Sequence, residues 1–165
     1  MRVDHFRLAK NDWVPNNSRL PVIVYKGVPA EGRELADMFE TTFARNGWQG
    51  IWRNGIYDYH HYHTMAHEVL GIAQGYATVV LGGPGGRELL VAAGDCLILP
   101  AGTGHCRTGA SSDFLVIGAY PPGQDPDLRK DAPGEAGLHY IETLPLPGTD
   151  PLGGDALEKL WTGSV

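Results

Sequence analysis

Between Gly55 and Tyr120 the sequence is a succession of short apolar runs: IYDYHHYH, HEVLGIA, YATVVL, RELLVA, DCLILP, HCRT and FLVIGAY. Each is closed by Gly, Pro, Asp or Ser, and none is long enough for an ordinary helix. Strands this short, with turn chemistry after each, describe an antiparallel sandwich or barrel. The 23 glycines and 12 prolines fall between such runs and form no low-complexity tract. The richest glycine stretch, GGPGGRE from Gly82, separates YATVVL from RELLVA. A phosphate-binding loop opens a helix, and no helical pattern follows here, so the stretch reads as a hairpin turn.

The flanks are expected to complete one domain, because 165 residues suffice for a single hydrophobic core and fall short of two. The divisions are an extension over 1–54, a core over 55–120 and a tail over 121–165. In the extension, LPVIVYK reads as a strand. AEGRELADMFETTFARNGW then places Leu35, Met38, Phe39, Thr42 and Phe43 on one face of an amphipathic helix of about four turns, which Asn46 and Gly47 end. The tail opens with PPGQDPDLRKDAPGEAG, too polar for a core. It continues with a strand-like LHYIETL and an apolar handle at Leu157, Leu160 and Trp161, and is expected to wrap over the sheet.

A formal charge of −6 supplies no basic footprint for nucleic acid or for an anionic membrane surface. No segment reaches the roughly 20 apolar residues of a bilayer span, and MRVDHFRLAKNDW has no secretory pattern. The expectation is a cytoplasmic protein with free Cys96 and Cys106 thiols, whose partners are small molecules and its own copies. Exposed strand edges and an aromatic leader carrying Trp13, Trp48 and Trp52 point to a homodimer.

Five of the seven histidines lie in the strand-rich core. Side chains alternate along a strand, so in YDYHHYH the residues Tyr57, Tyr59, His61 and His63 share one face, and His60 and Tyr62 take the other. His61 and His63 can then chelate one ion. Glu68 has the wrong parity for an unbroken strand, so TMAH must turn or bulge to return its carboxylate to the same ion. A further ligand comes from GDCLILPAGTGHCRTG, where the tight turn PAGTG delivers His105 onto a strand beside His61 and His63. Three neutral imidazoles and a carboxylate suit one divalent transition metal ion, Zn, Fe, Mn, Ni or Co, with positions left for water or substrate.

The spacing resembles a known family. Gly55, five residues, His61, Tyr62, His63, four residues, Glu68, six residues, Gly75 is similar to the first motif of the cupin superfamily. Gly94, five residues, Pro100, Ala101, Gly102, two residues, His105 resembles the second motif, with Gly109 where Asn often stands. WRNGIYDYHHYHTMAHEVLG, LPAGTGH, DFLVIGAYPPGQ, LPVIVYK and DPLGG resemble the YjlB-like bacterial single-domain cupins over most of the chain. The resemblance implies a mainly β, cupin-type antiparallel barrel (a jelly roll or double-stranded β-helix) with one N-terminal helix. It also implies a central metal, but no particular chemistry, because one fold hosts many activities.

The remaining candidates divide by parity. Glu68 is either a ligand or a general base beside the ion. His67 stands where ligation is not expected, next to the centre or on the surface, and His60 faces a sheet or subunit contact. Arg107 shares the parity of His105, and either forks onto a substrate carboxylate or reaches solvent at the barrel mouth. Tyr59 either orients a ligand or fills the barrel, and Cys106 faces away from the ion. A metalloprotease helix is excluded, because His63 and His67 are four apart but Thr64 holds the place of the catalytic Glu. Three function classes remain: a small-molecule metalloenzyme of oxygenase or isomerase type, a non-catalytic ligand binder or sensor using the same metal site, and a purely structural dimerisation module.

Overall fold

The computed structural model describes residues 1–162. Among these the chain runs through β1 (Arg2–Phe6), β2 (Val22–Lys26), α1 (Leu35–Arg45), β3 (Gln49–Asn54), β4 (Glu68–Gln74) and β5 (Tyr76–Leu81). It continues through β6 (Arg87–Ala92), β7 (Cys96–Leu99), β8 (His105–Ala110), β9 (Leu115–Tyr120), α2 (Gly134–Thr143) and α3 (Ala156–Thr162). The fold is mainly β, and every ladder is antiparallel. One sheet has the order β1-β2-β7-β4-β9-β3, the other β6-β5-β8.

The larger sheet is sandwiched, which explains why β2, β4 and β7 read as continuous apolar runs. Val22, Val24, Leu70, Ile72, Leu97, Leu99 and Val116 pack toward Ala77, Val79, Leu81 and Val91 of the smaller sheet. The alternate residues Ile23, Tyr25, Val69, Ile98 and Ile117 pack with Phe39 and Phe43 of α1 and Leu157 and Trp161 of α3. Close approach of α1 depends on Gly71, where a Cβ would stand 2.7 Å from the Phe39 ring. Tyr25 donates a hydrogen bond to Asp150, whose carboxylate also receives the Leu152 and Leu157 amides, and Trp161 Nε1 donates to the Pro21 carbonyl at 2.9 Å. These bonds tie α3 to the sheet.

Several expectations need correction. Helix α1 is shorter than four turns, because Glu31 and Gly32 have left-handed φ of 55° and 79° and turn the chain just before it. LHYIETL belongs to helix α2; its buried positions, Gly137 and Ile141, are four apart, a helical period. With α3 the described residues hold three helices where one was expected. Their ladders also form two separate sheets and close no barrel. The three leader tryptophans serve their own chain: Trp48 is in the core, Trp13 packs on Tyr62, and Trp52 bonds Tyr120. No helix of the described residues is long and apolar enough to cross a membrane.

Candidate metal centre

The segment preceding β4 is extended but belongs to no ladder; it touches other backbone through isolated bridges, His61 to His105 and Tyr62 to Arg129. IYDYHHYH is therefore not the regular strand expected, yet its alternation survives. The rings of Tyr57, Tyr59, His61 and His63 follow one another with centroids 4.9, 5.5 and 5.8 Å apart. Tyr62, of opposite parity, is buried against Trp13 at 6.1 Å. After His63 the chain bends, and Asp127 holds the bend: its carboxylate accepts the Thr64 amide (2.8 Å), the Thr64 hydroxyl (2.6 Å) and the Met65 amide (3.0 Å). The bend resets the register, so Glu68 opens β4 with the parity of Leu70 and Ile72 and faces between the sheets.

His105 arrives by the second turn. Gly102 has a φ of 93°, and a Cβ there would meet the Asn16 carbonyl oxygen at 2.5 Å, so only glycine fits. Its amide donates to the His63 carbonyl at 2.7 Å. His61 and His105 then exchange backbone hydrogen bonds of 3.3 and 2.9 Å, which sets the two imidazoles side by side with centroids 4.0 Å apart.

Each imidazole is held by its Nδ1. His61 Nδ1 bonds the Tyr59 carbonyl at 2.9 Å, His105 Nδ1 the Thr103 carbonyl at 3.0 Å, and His63 Nδ1 the Asp127 carbonyl. A carbonyl only accepts, so each Nδ1 carries a proton, and in the neutral ring Nε2 keeps its lone pair. Ring nitrogens of the three residues lie within 4.8 Å of one another, close enough to share an ion. Glu68 Oε1 is 3.2 Å from His105 Nε2 and 3.5 Å from His63 Nε2, yet it is buried and makes no well-aligned hydrogen bond. An orphaned carboxylate oxygen beside two of three grouped imidazoles is an arrangement that a shared cation satisfies.

The electrostatics agree. Burial, reinforced by the neighbouring His105, pushes His61 down to about 3. Burial would raise Glu68, but His63 and His105 outweigh it and hold the group well below the usual carboxylate range. Burial would likewise lower His63, and the charge of Glu68 reverses it and raises that histidine. The cluster thus keeps one buried negative charge and favours positive charge beside it.

Two residues here escaped the sequence reading. Tyr120 has the parity of Val116 on β9 and lines the cavity with Glu68; its hydroxyl accepts from Trp52 Nε1 at 2.9 Å. Alternation along FLVIGAY carried that signal. Asp127 lies in a polar loop whose composition carried none.

The other candidates separate clearly. Arg107 lines the same cavity, of about 700 Å³, as His61, His63, Glu68 and His105. Tyr59 is not among the lining residues; Tyr57, stacked on it, is. His60 is half-buried and outside the lining, with an unpartnered Nδ1. His67 is fully buried, neither at the centre nor on the surface: its Nδ1 accepts the Ala101 amide at 2.9 Å and its ring packs on Trp161 at 4.8 Å. It clips the first turn to the second.

Antiparallel sheets bring the two stretches that resemble cupin motifs together around three imidazoles and a carboxylate. The uncharacterized protein YjlB of Bacillus subtilis (strain 168) is 33% identical over 152 residues, covering 90% of each chain. This chain belongs to the YjlB family. No protein-family model matches it. Among solved structures it is similar to a cadmium-bound acireductone dioxygenase from Bacillus anthracis (16% identity, TM-score 0.43, covering 64% of this chain and 82% of that one). It is also similar to a DUF861 family protein from Thermotoga maritima (17%, 0.37, 59% and 96%) and to a dTDP-6-deoxy-D-glucose-3,5-epimerase from Legionella pneumophila in complex with dTDP-4-keto-L-rhamnose (12%, 0.37, 72% and 70%). The family assignment rests on the YjlB relative.

Proposed function

We propose that the protein is a metal-dependent cupin, holding one divalent transition metal ion on His61, His63, Glu68 and His105 and acting on a small molecule as an oxygenase- or isomerase-type enzyme. The observation that carries this is the grouping of ring nitrogens of His61, His63 and His105 within 4.8 Å of one another, each ring held by a backbone carbonyl at Nδ1, with Glu68 Oε1 beside His63 and His105. Nitrogen and oxygen donors of this kind suit Zn, Fe, Mn, Ni or Co. A divalent ion there supplies Lewis acidity, polarising an oxygen of the bound molecule. Glu68 completes the donor set. Oxygenase and isomerase chemistry both draw support from a cavity of about 700 Å³ opening on this centre.

Elemental analysis of untagged protein tests the reading. Wild type is expected to retain about one ion per chain and the His61→Ala, His105→Ala double variant none; stoichiometric metal in the double variant would sink the site. Oxygen uptake by the Fe(II) form over a panel of small acids and sugars then separates oxygenase from isomerase or mere binder. The same reading takes residues 1–165 as one cupin domain, its facing sheets as a jelly roll, and the protein as a cytoplasmic homodimer. Light scattering is expected to give the mass of two chains, and a monomeric mass would refute the dimer.

A further inference from the structure

The cavity that holds the centre is also lined by Arg107, which has no ion-pair partner among the described residues. Arg107 lies two residues beyond His105 on β8, so the two side chains share a face about 7 Å apart along the strand. Its Nε donates to the Ile56 carbonyl at 3.1 Å and its amide to the Tyr57 carbonyl at 2.9 Å, which lays the side chain along the cavity wall. Among the described residues no carboxylate comes within ion-pair distance of its guanidinium. Of the three acids lining the cavity, Glu68 faces His63 and His105, Asp127 is committed to Thr64 and Met65, and Asp58 makes no ion pair. The terminal guanidinium nitrogens therefore remain free to donate.

We propose that Arg107 is the anion-binding half of the substrate site, and that the ligand class is small organic acids. The carboxylate sits on the guanidinium fork, and a second oxygen, a keto, hydroxy or second acid group, reaches the histidine centre. The proposal rests on the metal-centre reading for that second contact only. A planar carboxylate matches the two parallel N–H bonds of an arginine fork. The span from Arg107 to His105 corresponds to a skeleton of a few carbons. Trp52, Ile56, Leu70 and Phe114 are among the lining residues and offer apolar surface to the carbon body of such an acid.

Ligand-observed NMR on metal-loaded protein tests this, with 2-oxoglutarate, succinate and benzoate as probes and their methyl esters as controls. At least one acid is expected to bind wild type in preference to its ester. Its affinity should fall about tenfold or more in Arg107→Gln, the scale of a lost charge-assisted contact, with metal content unchanged. Arg107→Lys keeps the charge and loses the fork, and is expected to bind the acid more weakly than wild type; it decides the matter if the glutamine variant does not fold. Equal affinity in wild type and the variants, acids that bind no better than their esters, or no acid binding to loaded protein would overturn the proposal. Because metal content is read separately, a protein that retains no ion yet binds acids through Arg107 would contradict the metal centre and leave this subsite standing.

Discussion

Glu68 and His67, neighbours in the chain, have opposite tasks, and parity separates them. Glu68 faces between the sheets, buried and without an aligned hydrogen-bond partner. Glu68→Gln removes the negative charge and retains the shape, so metal affinity is expected to fall about 10- to 100-fold, the range for losing a supporting group at a metal site. Competition against a coloured chelator checks this, and unchanged affinity would remove Glu68 from the donor set. His67 lies on the helix side. Its Nδ1 accepts the Ala101 amide, so Nε2 carries the proton and turns toward the Pro145 carbonyl without reaching hydrogen-bond geometry. Burial holds it down to about 3, below the ordinary 6.5. Between those values the unfolded chain binds a proton that the folded protein refuses. The stability from neutral His67 is thus complete above about pH 6.5 and is lost as pH falls toward 3, at about 1.4 kcal/mol per pH unit. Urea midpoints from pH 7 to 4.5 are expected to fall more steeply for wild type than for His67→Phe; parallel slopes would refute the assignment.

Among the elements, the apolar runs of the core announced β4 to β9 because each strand ends in Gly, Pro, Asp or Ser chemistry. β1 was missed because it is exposed along most of its length and carries charge, and β3 because Gly50 and Arg53 interrupt any alternation. α2 was misread as a strand because LHYIETL alternates over a few residues, while its true contacts repeat every four. The loop carrying Asp127 showed no pattern at all, since its role is one carboxylate and one carbonyl meeting the first turn from 63 residues away. Asp127→Ala removes three hydrogen bonds from that turn and loosens His63. Metal affinity is expected to drop about 10-fold or more, with little change in the far-ultraviolet spectrum. An unchanged affinity would show that the turn holds itself.

For the whole molecule, function depends on a sheet buried on both faces. The helices lock one side, and the other side offers alternate residues to the core and then to the cavity. Phe39 over Gly71 is the tightest point of the helix contact. Gly71→Ala is expected to destabilise the fold by about 1–3 kcal/mol through overpacking. Combining it with Phe39→Leu should recover part of that loss, so the two effects should not add; additive losses in chemical denaturation would argue against the contact. The motif residues and their grouping were legible because strand alternation and turn spacing are local rules. The split into two sheets, the two extra helices and the Tyr120 contact with Trp52 depend on long-range packing that no local period encodes.

The central claim is a metal centre of three imidazoles and one carboxylate. X-ray absorption at the edge of whichever ion the purified protein retains reads that shell directly. The account predicts a nitrogen and oxygen shell at about 2.0–2.2 Å with outer scattering from three histidine rings, reduced to one ring in the His61→Ala, His105→Ala double variant if any ion is retained there. A shell without imidazole scattering, a sulfur neighbour at about 2.3 Å, or a spectrum unchanged by the double substitution would contradict it.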